Sequence, residues 1–382
     1  MKSAVIVTPF DNYSYNVRIK YLEKYLQERG YSCTVISADF DHRNKKKYYA
    51  ERSNLELLHV PEYKRNLSFS RIYSHFVFAK SVYKRLNELK PDLVYGSAPP
   101  NFLFKFISKY KNENPGVKLV YEIGDLWPET LPLSDKIKVA ATPALNLWAS
   151  IRNRNIGKAN AVVFECDLFK DRINKYCEKA YTKTIYFCKE DYYLGKFPQK
   201  EINGENLKFA YVGAVNNIID IDLIVSILKE VNKVRPVEFR IIGAGENKER
   251  LLSLCKQNDI SYQDYGIVYD EDQKARILSD CYFGFNIMKE SVAVGATMKS
   301  LEYFHWGLAL INNIPADTEQ IVKQFESGIN IESVSQTVEE ILKMSAIEIK
   351  TMCINARKTY EKLFAPQAIK DSFEEVWQVI ED

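Results

Sequence analysis

The sequence predicts an α/β protein of two Rossmann-like domains, and three observations point there. Its 382 residues, at roughly 150 per domain, suit two sizeable units. Short apolar, β-branched runs alternate with amphipathic stretches and end repeatedly at Gly, Pro or Asp, as parallel strands joined by helices do. That series lapses around residues 189–206 and then begins again.

In the first half, residues 3–8 read as a strand ending at Pro9, and Ile19, Leu22, Tyr25 and Leu26 recur at helical spacing until Gly30. A second strand runs from Cys33 to Ser37, which opens a doubly wound sheet. Three further strands, Asp92–Tyr95, Lys118–Glu122 and Ala161–Phe164, end in the turns Gly96–Pro100, Gly124–Asp125 and Glu165–Asp167. Such turns lie at the carboxyl edge of the sheet, where open α/β sheets bind ligands. The aperiodic stretch 189–206 is read as a linker. Beyond it, strands over 208–212, 238–242, 261–265, 282–287 and 308–311 alternate with helices over 220–234, 246–257, 271–279 and from 297. The domains are therefore placed at 1–190 and 207–364, with 365–382 as an amphipathic end helix whose Phe373, Val376, Trp377 and Ile380 need a surface to cover.

Composition narrows the function classes. A chain 46% hydrophobic and 27% charged has the balance of a folded protein. Seven scattered cysteines with no C-x-x-C pair indicate neither a zinc cluster nor a disulfide framework. A reducing, cytoplasmic location is expected. The net charge of +3 does not argue for nucleic acid. One basic cluster, Arg43, Lys45, Lys46, Lys47, Arg52, Lys64 and Arg65 with Tyr48, Tyr49 and Tyr63, is expected to be a solvated surface loop. An anionic-membrane contact is its alternative, which would make any attachment peripheral, at the inner face of the cell membrane. The four His residues lack ligand spacing. Asp220 and Asp222 sit where acids favour a helix start, and Gly243-Ala-Gly245 lacks the third glycine of a dinucleotide site.

The segment from Glu290 to Gly307 carries the most chemistry. Gly295, Ala296 and Thr297 form a turn directly before a helix opening on Met298, so free N–H groups and the positive dipole end suit a diphosphate. Lys299 adds a full charge, and Glu302 follows one turn later as an acceptor for both ribose hydroxyls. An ordinary capped helix with a Lys–Glu surface pair is the competing reading. The strand after Gly307 favours the ligand site, because it puts the Gly295 turn at the strand-end edge.

This segment resembles the donor-binding segment of the retaining glycosyltransferases of family 4, whose two-domain architecture is called GT-B. Lys299, Glu302 and Tyr303 match the Lys, two residues, Glu-Tyr version of that motif, while Val294 stands where many members have a first Glu. Tyr121 to Glu129 is similar to an Asp-Leu-Trp-Pro-Glu turn of capsule and O-antigen transferases, with Gly124 in place of a cation before Asp125. The resemblance implies two domains facing across a cleft, an end helix crossing back to the first, and retaining, metal-independent transfer from a nucleoside-diphosphate sugar, of UDP or GDP type. Such a protein needs no cofactor. It implies Asp125 and Lys299 as catalytic groups and places Gly213, Tyr269, Gly295, Ala296, Thr297, Met298, Lys299 and Glu302 around the donor. Tyr13, Tyr15, Asn16 and Arg18 occupy the acceptor or phosphate loop. A glycan or lipid-linked glycan of bacterial surface polysaccharide synthesis is the implied acceptor. A sugar-nucleotide epimerase and a non-catalytic sugar-nucleotide or glycan-binding partner stand as alternatives, the latter because the Gly213 loop lacks the cations of relatives.

Overall fold

The computed structural model describes residues 2–10, 17–131, 133, 135–194, 197–198, 200–202, 206–292 and 294–381, the side chains of Val17 and Asp135 excepted. The chain divides into two compact units, Met1–Tyr186 with Ile369–Asp382, and Phe187–Ala368.

Unit 1 runs β1 (Lys2–Val7), α1 (Val17–Glu28), β2 (Tyr31–Ala38), a small hairpin of β3 (Phe40–Asp41) and β4 (Lys46–Lys47), then β5 (Leu55–Leu58) and α2 (Phe69–Leu89). It continues with β6 (Leu93–Ala98), α3 (Phe102–Glu113), β7 (Lys118–Ile123), α4 (Asp135–Asn153), β8 (Ala161–Phe164), α5 (Asp167–Ile173) and β9 (Tyr181–Thr184). Seven strands form one sheet in the order β5-β2-β1-β6-β7-β8-β9, each pair parallel. Strands covered on both faces read as continuous apolar runs, as in β1 and β8, where Val5, Ile6, Val7, Val162, Val163 and Phe164 are all buried.

Unit 2 contains β10 (Leu207–Val212), α6 (Ile221–Asn232), β11 (Val237–Ile242), α7 (Lys248–Gln257), β12 (Ser261–Asp264), α8 (Glu271–Leu278) and β13 (Phe283–Asn286). After these come α9 (Met298–His305), β14 (Ala309–Asn312), α10 (Asp317–Phe325), β15 (Gly328–Asn330), α11 (Val334–Lys343) and α12 (Ala346–Leu363). Its sheet order, β12-β11-β10-β13-β14-β15, is again all parallel. In both sheets the order reverses beside the first strand, and at that switch point open α/β sheets hold ligands.

The last helix, α13 (Pro366–Glu381), returns to unit 1 from Ile369 onward. Its apolar stripe of Ile369, Phe373, Val376, Trp377 and Ile380 is buried. Phe373 stacks on Tyr25 at 5.9 Å and Trp377 meets the same ring edge-on at 5.6 Å. Polar contacts fix the register: Tyr25 donates to Glu374 at 2.7 Å, Arg29 pairs with Glu374 at 2.9 Å, and Lys370 with Glu28 at 2.6 Å.

Two expectations change. The described part of the 189–206 stretch is packed onto unit 2 and is not a loose linker: Lys189 pairs with Glu271 at 2.9 Å and Glu302 at 3.0 Å. Lys200, buried, donates to the carbonyls of Leu278 and Cys281 at 3.0 and 2.7 Å. These anchors are single side chains, which leave no periodic trace. The basic cluster is only partly a solvated loop. Arg43, Lys46, Lys47, Lys64 and Arg65 are exposed, but Tyr63 is buried and Lys45 lies over its ring at 4.9 Å.

Candidate functional site

In unit 2 the switch point is built around a gap. β10 and β13 pair only through Phe209–Phe283 and Ala210–Gly284, and beyond that the strands part. The hydroxyl of Tyr303, from α9, fills the space by accepting from the Val212 N–H at 2.9 Å and donating to the Phe285 carbonyl at 3.1 Å. Gly284 makes this possible, because a Cβ there would lie 2.4 Å from the Tyr303 ring. Tyr303 thus seats α9 at the end of β10 and β13.

The start of α9 is tied to the sheet by side chains. Thr297 caps the helix, its hydroxyl accepting from the Ser300 N–H at 3.0 Å and donating to Asn286 Oδ1 at 2.7 Å. Asn286, Asn312 and Asn330, last residues of β13, β14 and β15, are linked amide to amide at 2.8 Å each. The Gly295 carbonyl accepts from both the N–H and the hydroxyl of Thr318, at 2.9 and 2.7 Å. The Thr297 N–H is occupied by Ser300 Oγ at 3.3 Å. By contrast, the N–H groups of Gly295, Ala296, Met298 and Lys299 meet no protein acceptor among the described residues. Orphan donors at a helix start form an anion site.

Lys299 reaches across to the end of β10, with Nζ 5.3 Å from the centre of the Tyr211 ring. No carboxylate pairs with it among the described residues. Burial without a partner pushes its ammonium down to about 8. Gly213, at φ 121°, leaves the room this requires, since a Cβ there would stand 3.0 Å from Lys299 Cε. The neighbouring Gly243 is needed for a different reason: a Cβ would fall 2.0 Å from the Gly213 carbonyl oxygen. Gly243-Ala-Gly245 is therefore a close crossing of two strand-end turns. Gly213→Ala is expected to cost about 1–3 kcal/mol through its left-handed backbone and to displace Lys299. Urea unfolding and UDP titration of the variant measure both effects.

Glu302 does not pair with Lys299, which removes the surface-pair reading. Its carboxylate is 15% exposed and meets Lys189 at 3.0 Å and Lys274 at 3.3 Å, and it accepts from Trp306 Nε1 at 2.9 Å. Burial raises its pKa, but the two lysines and the indole outweigh that and hold it at about 2. A carboxylate offers about four lone-pair sites, so three protein donors leave capacity for one ribose hydroxyl, where the sequence suggested two. Tyr269 is 85% exposed, and Val294, where relatives carry a first Glu, is half-buried.

In unit 1, Asp125 follows β7 and accepts from Trp127 Nε1 at 2.6 Å and from the Thr130 hydroxyl. Burial raises its pKa, while those donors and Arg71 oppose the shift. Arg71 is a positive charge that acts on Asp125 at longer range, without a hydrogen bond to it. Beside it, Glu165 is held well above the ordinary carboxyl range by burial, eased by Arg18 and reinforced by Asp125 and Glu122. Arg18 is buried and pairs with Glu122 at 2.9 Å, and Glu122 also accepts from Tyr95 at 2.8 Å. Arg18 is thus committed to the protein interior. Tyr13, Tyr15 and Asn16 lie outside the described residues.

Residues 16–186 match the sequence model of Glycosyltransferase Family 4. That match covers most of unit 1 and makes this part of the chain similar to the family. No curated protein sequence matches it significantly. Solved structures extend the likeness over both units. Sucrose-phosphate synthase from Thermosynechococcus elongatus is similar at TM-score 0.70 and 10% identity, covering 99% of this chain and 98% of that one. HepE from Anabaena, in complex with UDP, gives 0.66 and 14%, covering 99% and 100%. The lipopolysaccharide outer core galactosyltransferase WaaB gives 0.65 and 15%, covering 99% of each. At these identities the likeness establishes the fold.

The sequence brought Gly213, Gly295, Ala296, Thr297, Met298 and Lys299 to one edge of the second sheet, and the structure places them there. Sequence reasoning missed Lys189 and Lys274 behind Glu302, the charge of Arg71 felt by Asp125, and Glu165. Glu165 alone had a signal, its position directly after the apolar run Ala161–Phe164.

Proposed function

We propose that this chain transfers a sugar from a nucleoside diphosphate to an acceptor hydroxyl with retention at the anomeric carbon and without a divalent metal. The observation that carries the reading is the pairing of an unpartnered, half-buried Lys299 with four unoccupied amides at the switch point of the second sheet. A buried cation without a counter-charge is costly, and a diphosphate supplies that charge. UDP is the favoured nucleotide, since HepE is known in complexes with UDP and UDP-glucose.

In the reaction the bond between the anomeric carbon and the diphosphate oxygen breaks, and the acceptor oxygen bonds to that carbon on the same face. The acceptor's proton passes to the departing diphosphate. Lys299 and the helix amides stabilise the charge that develops on the leaving group. Glu302, held ionised and oriented by Lys189 and Lys274, takes one ribose hydroxyl. Asp125 serves the acceptor side, steadied by Trp127 and Thr130. Tyr269 is the exposed aromatic that would stack on the base. Surface-polysaccharide synthesis at the inner face of the membrane is the setting we favour, although no helix among the described residues is long and apolar enough to cross a membrane.

The test is a binding screen of UDP-, GDP-, CMP- and dTDP-sugars, followed by turnover with and without a chelator. Transfer that survives chelation and retains anomeric configuration is expected. Tight donor binding without transfer or hydrolysis would assign a non-catalytic role, and an epimerised donor would assign a different reaction.

A further inference from the structure

Helix α4 presents its apolar side to water. At about 3.6 residues per turn, Val139, Pro143 and Leu147 fall in one row, with Ala140 and Ala144 beside them and Ile137 at the edge. All six are exposed, and Val139 and Leu147 keep 75% and 68% of their surface open. The opposite side of the helix holds it in place. Ala149 and Arg152 are buried, Trp148 packs on Trp127 at 6.3 Å, and Arg152 pairs with Glu129 at 2.6 Å. The outward row therefore takes no part in the core. Single exposed apolar residues are ordinary, but a continuous stripe along one helix face calls for something to cover it.

The charge around the stripe indicates what that is. From Lys136 to Phe164 the chain has no Asp or Glu, while it carries Lys136, Lys138, Arg152, Arg154 and Lys158. Glu129 engages Arg152, whereas Lys136, Arg154 and Lys158 are exposed and Lys138 is half-buried. An apolar stripe bordered by lysines complements an anionic lipid surface, where the apolar atoms enter the acyl boundary and the ammonium groups reach the headgroups. Protein interfaces are depleted of Lys, and a second copy packed stripe to stripe would add its own lysines and bring no carboxylate to meet them.

The helix is built to lie on a bilayer and not to cross one. From Lys136 to Leu147 it is about 18 Å long, short of the roughly 30 Å hydrocarbon core. Pro143, inside the helix, has no N–H for the Val139 carbonyl. Water among the headgroups satisfies such a carbonyl, and hydrocarbon does not.

We propose that α4 seats this chain on an anionic membrane surface, with Ile137, Val139, Pro143 and Leu147 entering the lipid and Lys136 and Lys138 meeting the headgroups. The basic cluster within residues 43–65 is not the seat. Membrane seating and sugar transfer are separate properties, and each has its own readout. The test sediments the full chain with vesicles of phosphatidylcholine alone and of phosphatidylcholine mixed equally with phosphatidylglycerol. Binding to the mixed vesicles is expected, weaker in high salt and several-fold weaker without the anionic lipid. Val139→Ser with Leu147→Ser, both at exposed positions, is expected to lower affinity for the mixed vesicles on the order of tenfold or more and to leave the urea midpoint unchanged. Lys136→Gln with Lys138→Gln is expected to lower it on the order of tenfold and to flatten the salt dependence, whereas Lys46→Gln with Lys47→Gln is expected to leave it unchanged. Absence of binding to the mixed vesicles would overturn the seat. Binding kept by the serine variant and lost by the Lys46 and Lys47 variant would move the contact to the hairpin of β3 and β4. Dimers in light scattering that vanish in the serine variant, without vesicle binding, would show that a second copy covers the stripe. UDP-sugar binding, measured on the same samples, decides the transfer reading independently of all these outcomes.

Discussion

Lys299→Gln is expected to lower sugar transfer by about 10²–10³-fold, the loss typical when one preorganised charge-stabilising donor is removed. The same change is expected to leave the fold as stable as before or more so. Lys299 is half-buried and unpaired, and its folded pKa of about 8 lies below the ordinary lysine value of 10.5. A cation whose pKa is depressed on folding destabilises the native state below that folded value, and the penalty fades as pH rises through the window from 8 to 10.5. It amounts to no more than about 3 kcal/mol before solvent screening. On the proposed reading, Lys299 weakens the fold and serves the reaction, the trade expected of a functional residue. Two measurements separate these terms: UDP titration between pH 7 and 10, and urea midpoints of wild type and variant. Affinity in the wild type is expected to fall above pH 8 as the ammonium deprotonates, whereas Lys299→Arg, charged throughout, should give a flat profile. A wild-type affinity independent of pH would remove Lys299 from the diphosphate.

Glu302→Ala has its largest expected effect on stability. The carboxylate stands between Lys189 and Lys274, and deleting one member of a buried charge network strands the others, at about 3–5 kcal/mol. The pH dependence has the opposite sign to that of Lys299. The folded pKa of about 2 is below the usual 4.5, so the stabilisation is fully present above pH 4.5 and is lost as pH falls towards 2. Wild type and Glu302→Gln are therefore expected to differ in urea midpoint at pH 7 and to converge in acid. An unchanged midpoint at pH 7 would show that the lysines find other partners and that the carboxylate is not the hub of this network.

These two side chains also show what a sequence reveals. The apolar runs that became β1, β7, β8, β10, β11 and β13 were readable because parallel strands are buried on both faces, and the helix opening at Met298 was readable from the Gly-Ala-Thr turn in front of it. Lys299 was legible for the same reason, since its position relative to the helix start is local. The partners of Glu302 were not. Lys189 comes from an aperiodic stretch and Lys274 from another helix, and their convergence depends on how α8 and the stretch after β9 pack. Arg71 was hidden likewise, lying on α2, far from Asp125 in the chain and unmarked by any motif. Tyr303 matched a family pattern, but its work of plugging the divergence of β10 and β13 required the register of both strands.

The return of α13 fixes an order of events during synthesis. Unit 2 is a continuous run from Phe187 to Ala368, whereas unit 1 lacks the cover over Tyr25 until residues from Ile369 onward have been made. The earlier half of a nascent chain thus waits, with an apolar face open to water, while the later half acquires all it needs to fold. Such a waiting face is what chaperones hold and what aggregation exploits.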